Sequence, residues 1–250
     1  MAEHTATTAG WLFDSVYGDV SETSEKLKKA RLIQGPRFDS TLCGPTSLMM
    51  VMAKAMKKQG ISSPYRGLID GIEDIVKRVV PETHYTVDRE VTKGVDLPNL
   101  LKAIKLEFER VGITSVAVEH FSNDWRFPQL KSGDIGSLFV NRSVSLMPND
   151  ALILNISYYK QSGSFDAAKT RRLGGHYVVV DGRNQDDPDL IRVKDPDYPE
   201  DLVIAKLDKD NPKGYRDPTY RMDFKSGHLE EQQSQFDVMT LISGTAHITW

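Results

Sequence analysis

The spacing of apolar residues changes from a helical period to a strand period about halfway along this chain of 250 residues. Helices are predicted for four segments, residues 21–32, 45–59, 66–80 and 96–111. Strands are predicted for five later segments, residues 114–118, 151–158, 176–181, 190–193 and 236–242. Because the helices come first and the strands follow, the pattern predicts an α+β fold with a mostly antiparallel sheet.

Three further segments lack a clear period. Residues 159–175 are predicted to form a loop that leads into the sheet, and residues 206–225 an irregular surface excursion rich in Asp, Pro and Lys. The dipeptide Ser243-Gly244 suggests the turn of a terminal hairpin whose second strand ends at Trp250. We find no internal repeat and no linker-like tract, so a single domain over residues 1–250 is expected.

The charge and hydropathy of the chain exclude several classes of protein. Lys and Arg number 32 and Asp and Glu 35, which gives a net charge of −3 and no basic footprint for nucleic acid. No apolar run approaches the roughly 18 residues of a transmembrane helix, and the N-terminal residues lack the pattern of a secretory signal. We therefore expect no nucleic-acid or membrane partner, and a protein that is cytoplasmic or exported without a cleavable signal peptide.

Cys43 is the only cysteine of the chain. A disulfide within the chain is therefore impossible, and zinc sites built on several cysteines are excluded. The methionines of residues 45–59 extend an apolar stripe and are predicted to fill the core of the protein, not to bind a metal. We expect neither a cofactor nor a metal ion.

The segment around Cys43 has the residues that an activated thiol would need. Cys43 precedes Gly44-Pro45, and proline is favoured at the first position of a helix, so the thiol is predicted at the start of a buried helix. Unpaired backbone N–H groups and the helix dipole favour a thiolate there, and they can also stabilise an oxyanion on a substrate. Taken alone, the segment equally fits a small buried cysteine that happens to precede a helix.

A nucleophilic thiolate needs a general base, and one of the six histidines is better placed than the others. His176 follows two glycines and begins an apolar strand, so it lies at the end of a rigid element. The other five lie in a frayed terminus, in polar segments, or within or beside strands where they fit a structural role: His4, His84, His120, His228 and His247.

Hairpin geometry suggests an acidic partner for His176. The strand that starts at His176 is followed by a turn-rich loop and a return strand that ends at Asp195-Pro196. If the hairpin is centred between residues 185 and 186, His176 faces Asp195, and a carboxylate there would orient the imidazole. Asp181 falls on the opposite face of its strand, and Asp195 taken alone fits an ordinary strand-end turn residue.

Together these motifs resemble those of a known family. Cys-Gly-Pro-Thr-Ser at a helix start, then Gly-His-Tyr-Val-Val-Val-Asp-Gly, then Val-Lys-Asp-Pro resemble the papain-like cysteine peptidases, above all the bacterial bacteriocin-processing (double-glycine leader) peptidases. The resemblance implies a papain-like α+β fold with a catalytic core at about residues 34–199 and a C-terminal extension at about 200–250. It implies that Cys43 is the nucleophile, His176 the base and Asp195 the residue that orients the base.

One position departs from the pattern of that family. A glutamine about six residues before the cysteine usually contributes to the oxyanion hole, but Arg37 occupies this position. The nearest glutamine, Gln34, is the candidate oxyanion-hole residue if a longer loop brings it to the site. Otherwise backbone N–H groups or another donor would take this role.

The function predicted from these residues is a cysteine peptidase that cleaves peptide or amide bonds through a thioester on Cys43. One alternative is an acyltransferase, transglutaminase or deamidase with the same three residues, and another is a non-catalytic binding module. The expected partner is a protein or peptide substrate. The resemblance also implies a bacterial effector or toxin, with a protein inhibitor as a partner that the sequence does not identify.

Overall fold

The computed structural model describes residues 42–65, 68–85, 93–135, 149–161, 165–183, 187, 189–196 and 198–250. The helix predicted for residues 21–32 lies outside the described residues, as do Gln34 and Arg37.

Four α-helices, one short 3₁₀ helix and seven strands make up the described part of the chain. The helices are α1 (Cys43–Gln59), α2 (Leu68–Val79), α3 (Leu97–Arg110) and α4 (Gly227–Phe236), and Glu82–His84 form the 3₁₀ turn. The strands are β1 (Ala117–Ser122), β2 (Asp150–Lys160), β3 (Arg172–Arg183), β4 (Leu190–Asp195), β5 (Tyr198–Asp210), β6 (Thr219–Phe224) and β7 (Val238–Thr249). None of the described helices has both the length and the apolar character that crossing a membrane requires.

The strands form a closed barrel. Their order is β1-β7-β2-β3-β4-β5-β6, every described pair is antiparallel, and β6 pairs again with β7. Strands β2 to β7 therefore close on themselves, and β1 is attached to the outside of this ring of six. The predicted papain-like α+β fold is wrong, because the sheet closes into an antiparallel barrel that carries one further strand and four helices.

A bulge in β7 allows this closure. The pairing of β7 with β2 changes register between Gly244 and Ile242, which leaves Ser243 as the extra residue. Before the bulge β7 pairs with β6, and after it β7 pairs with β1. A bulge bends a strand and increases its twist, so the same edge of β7 can pair with β6 before the bulge and with β1 after it. The predicted hairpin turn at Ser243-Gly244 is therefore wrong, because the strand continues through it.

The closing strands come from segments predicted to be irregular or peripheral. Residues 206–225 contribute the end of β5 and all of β6, instead of a surface excursion. Their buried apolar residues alternate with charged ones, which is the pattern of a strand with one face in the core: Leu207, Tyr220, Met222 and Phe224. The region expected as an extension, about residues 200–250, supplies β6, β7 and most of β5.

Several predicted boundaries also shift. The strand predicted for residues 114–118 is Ala117–Ser122, and the predicted loop at 159–175 contains the end of β2 and the start of β3. The segment 236–242 begins with the last residue of α4, a helix that the sequence pattern did not indicate.

Two apolar cores lie on opposite faces of β3. Val178 and Val180 face the interior of the barrel, whereas Tyr177 and Val179 pack against the helical layer. Since side chains alternate along a strand, His176 shares the barrel side with Val178.

The helical layer is anchored by α1. Its residues from Cys43 to Met56 are all buried, and its methionines belong to the core as predicted. Lys54 is buried among them and donates from Nζ to the carbonyl oxygen of Asp150 at 2.6 Å. This bond fixes α1 against the start of β2.

An ion pair joins the other two helices of this layer. Arg78 of α2 donates through Nε and Nη2 to the two carboxylate oxygens of Glu107 on α3, at 2.7 and 2.6 Å. Asp96 caps α3 by accepting from the N–H of Asn99 at 2.9 Å.

Candidate active site

Cys43 is the first residue of α1, as the sequence predicts. The residue before it, Leu42, is the N-cap and has no side-chain acceptor to cap the helix. The N–H of Thr46 bonds to the carbonyl oxygen of Leu42 at 3.0 Å, and Pro45 has no N–H. The donors at this helix start are therefore the backbone N–H groups of Cys43 and Gly44.

Gly44 lets the start of α1 lie directly against β3. An ideal Cβ on Gly44 would clash with Cγ1 of Val95 and would lie 3.4 Å from the ring of Tyr177. A side chain at position 44 would therefore force the helix away. The close approach places the start of α1 against the face of β3 that carries Tyr177, whereas His176 points to the barrel side of the same strand.

His176 and Asp195 meet as predicted, although by a different register. Nε2 of His176 lies 2.8 Å from Oδ1 of Asp195, and both side chains are almost fully buried. The observed pairing, Val180 with Val193, is shifted by two residues from the predicted one. Because the shift is even, Asp195 stays on the barrel side and meets His176 diagonally across the strands.

A second histidine, not predicted from the sequence, contacts this carboxylate. Nε2 of His228, in the first turn of α4, lies 2.7 Å from Oδ2 of Asp195. The two histidines thus use opposite oxygens of one carboxylate. No local signal in the sequence marks His228, since only the packing of α4 on β5, β6 and β7 brings it here.

Charge interactions hold His176 and Asp195 in their ionised forms. Burial alone would lower the pKa of His176, but the charges of Asp195 and Cys43 raise the pKa of this imidazole well above its usual value. Burial alone would raise the pKa of Asp195, but the charge of His176 and the hydrogen bonds from both histidines hold it well below its usual range. The site therefore favours an imidazolium beside a carboxylate.

The charge of Cys43 affects the pKa of two neighbouring residues of β3. It contributes to the raised pKa of His176 and, after burial, to the raised pKa of Tyr177. The charge of Cys43 thus acts on the imidazole that Asp195 holds.

Asp181 lies near an arginine of β4 instead of His176. Asp181 lies 3.8 Å from Nε of Arg192, on the opposite face of β3 from His176. Within the described ranges, no group of three or more His, Cys, Asp or Glu side chains is arranged to hold a metal ion.

Comparisons with known proteins identify no family for this chain. No protein-family model, no curated protein and no solved structure matches this chain. The resemblance to papain-like peptidases in the motifs around Cys43 and His176 thus stays a prediction from the sequence.

Proposed function

We propose that this protein is a thiol hydrolase that cleaves peptide or other amide bonds. The observation that carries the proposal is the buried hydrogen bond of 2.8 Å between His176 and Asp195, with the charge of Cys43 acting on the same imidazole. A histidine held by a carboxylate and coupled to a thiol is an arrangement that generates a nucleophile.

In the proposed first step, the thiolate of Cys43 attacks the carbonyl carbon of the substrate. The C=O bond becomes a C–O⁻ bond, and the backbone N–H groups at the start of α1 stabilise the oxyanion. The C–N bond then breaks, and the leaving amine takes the proton from His176. The products of this step are a free amine and a thioester on Cys43.

In the second step, water hydrolyses the thioester on Cys43. His176, now neutral, accepts a proton from the water as it attacks the thioester carbonyl. The C–S bond breaks and releases a carboxylic acid, which restores the thiolate and the imidazolium. Asp195 stays ionised throughout and orients the ring through Nε2.

Amide bonds are the proposed substrates because the site favours an imidazolium. An amine is a poor leaving group until it is protonated, and a charged His176 supplies the proton where the C–N bond breaks.

The first test follows alkylation of Cys43 by iodoacetamide as a function of pH, using the mass of the intact protein. Because the chain has one cysteine, every added mass reports on Cys43. We expect the wild-type protein to react well below pH 7 and His176→Ala to react slowly there. His120→Ala is the control, since His120 lies on β1 away from this cluster.

Two outcomes of this test contradict the proposal. One is a wild-type thiol that reacts only near pH 8.5, which is the behaviour of an unactivated cysteine. The other is an identical pH profile in wild type and His176→Ala. If the thiol is activated, peptide cleavage with and without an added amine separates hydrolysis from acyl transfer, and Cys43→Ser abolishes both.

A further inference from the structure

Two arginines converge on one serine at the outer face of β2 and β3. Arg126 forms an ion pair with Asp124, whose side chain is completely buried, and its Nη2 lies 3.4 Å from Oγ of Ser157. Nε of Arg172 lies 3.3 Å from the same oxygen. Ser243, the bulge residue of β7, donates to it as well, at 2.6 Å.

This cluster carries one more positive charge than negative charge. Asp124 balances Arg126, but within the described part of the chain no carboxylate lies within ion-pair distance of Arg172. A serine hydroxyl offers only two lone pairs, whereas a guanidinium has five N–H donors. Most donors of Arg172 are therefore not used by its contact with Ser157.

The unbalanced charge is open to a ligand. Arg172 is exposed to solvent, and the side chain of Arg126 is 28% exposed. Burial and, to a smaller extent, the charge of Arg126 lower the pKa of Arg172. An anion between the two arginines would offset the repulsion between their charges.

The cluster and Cys43 occupy neighbouring positions on the same face of β3. Nη2 of Arg172 lies over Gly175, where it would clash with a Cβ, whereas the start of α1 lies over Tyr177. Positions 175 and 177 point to the same side and are about 7 Å apart along the strand. That spacing equals about two residues of an extended peptide.

The ring of Tyr177 lies within the fields of both groups. Burial raises its pKa most, the charge of Cys43 raises it further, and the charges of Arg172 and Arg126 lower it.

We propose that Arg172, supported by Arg126, binds a carboxylate of the substrate within about two residues of the bond that Cys43 attacks. This proposal rests on the proposed function, because it defines the specificity of the same site. The ligand is an acidic side chain or a terminal carboxylate of a peptide, and a guanidinium pair can bind either in a bidentate manner.

The test uses alkylating reagents that differ by one charge. One pair is N-iodoacetyl-aspartic acid α-amide and N-iodoacetyl-asparagine α-amide, and a second pair is N-iodoacetyl-glycine and N-iodoacetyl-glycinamide. In each reaction the thiolate of Cys43 displaces iodide from the CH₂ carbon. The ratio of the rate constants within a pair measures the preference for a carboxylate and cancels any difference in thiol reactivity.

For the wild-type protein we expect the anionic reagent of at least one pair to react about five- to tenfold faster, as a charge-assisted hydrogen bond at an accessible site allows. Preference in the first pair identifies a side-chain carboxylate, and preference in the second a terminal one. In Arg172→Gln the ratio of the two rate constants should fall to about one. In Arg172→Lys the ratio should fall only part of the way. Lys105→Gln, at an exposed position of α3, should leave it unchanged.

Ratios near one for both pairs in the wild-type protein would overturn this proposal, and so would a preference that survives Arg172→Gln. Neither result would affect the proposed function, which depends on the pH profile of the neutral reagent and on His176. Conversely, a thiol that His176 does not activate would remove the proposed function even where the charge preference is present.

Discussion

Nε2 of His228 lies 2.7 Å from Oδ2 of Asp195, although the two residues are 33 positions apart in the chain. His176 contacts Oδ1 and His228 contacts Oδ2, so both oxygens of the Asp195 carboxylate are held. A carboxylate fixed in this way cannot rotate away from the imidazole that it orients.

Replacing His228 should therefore weaken the site without removing it. In His228→Phe, Oδ2 of Asp195 loses its partner and the carboxylate is free to turn, so we expect Cys43 alkylation below pH 7 to slow by about three- to tenfold, the usual weight of one supporting hydrogen bond. The pH profile should also move, which a purely structural role would not cause. His120→Phe is the matched control, and an unchanged profile in His228→Phe would show that His228 does not position Asp195.

Asp195→Asn should lower stability in a pH-dependent way. The pKa of Asp195 is held low, so its contribution to stability is present above an unfolded-state pKa of about 3.9 and is lost as the pH falls below that. The pKa of His176 is raised, so its contribution is complete below an unfolded-state pKa of about 6.5 and is lost as the pH rises through the folded-state value.

The difference in unfolding free energy between wild type and Asp195→Asn should thus be largest between about pH 4.5 and 6.5, and of the order of 3 kcal/mol as for other broken buried pairs. Urea unfolding at a series of pH values measures it. A difference that is constant from pH 4.5 to 9 would argue against a charged pair.

Gly44→Ala should displace the start of α1. The added methyl group would meet Val95 and the ring of Tyr177, and overpacking of this kind costs about 1–3 kcal/mol. Alkylation of Cys43 at low pH should slow as well, because the thiol moves away from His176. The second substitution Val95→Ala makes room for the methyl group and should restore both properties. A double variant no faster than Gly44→Ala would mean that the conformation of glycine, and not its size, is required.

Arg78→Met should destabilise the helical layer. Glu107 is 2% exposed and would keep a buried charge without its bidentate partner, which costs about 2–3 kcal/mol at this partly accessible site. Lys105→Met is the comparison, because Lys105 and Glu109 form an exposed pair at 3.9 Å and should contribute less than about 0.5 kcal/mol. Equal midpoints of urea unfolding for the two variants would contradict this assignment.

Local chemistry determined the helices and the start of the site. Proline at the third residue of α1, Gly60 directly after the helix and the run of apolar residues between them predict a buried helix with Cys43 in its first turn. The cap of α3 and the apolar stripes of α2 and α3 are equally local. The contact between His176 and Asp195 could also be predicted, because strand alternation preserved the face even though the register was two residues off.

Only the tertiary structure decided that the sheet closes into a barrel. The pairing of β6 with β7 joins strands through a bulge at Ser243 that no dipeptide pattern indicates. The contacts of His228, Arg126 and Arg172 were likewise decided by the tertiary structure, because their partners lie 15 to 33 residues away in the chain. A sequence pattern reports which face of a strand is buried, but the strand that lies beside it depends on long-range packing of the whole chain.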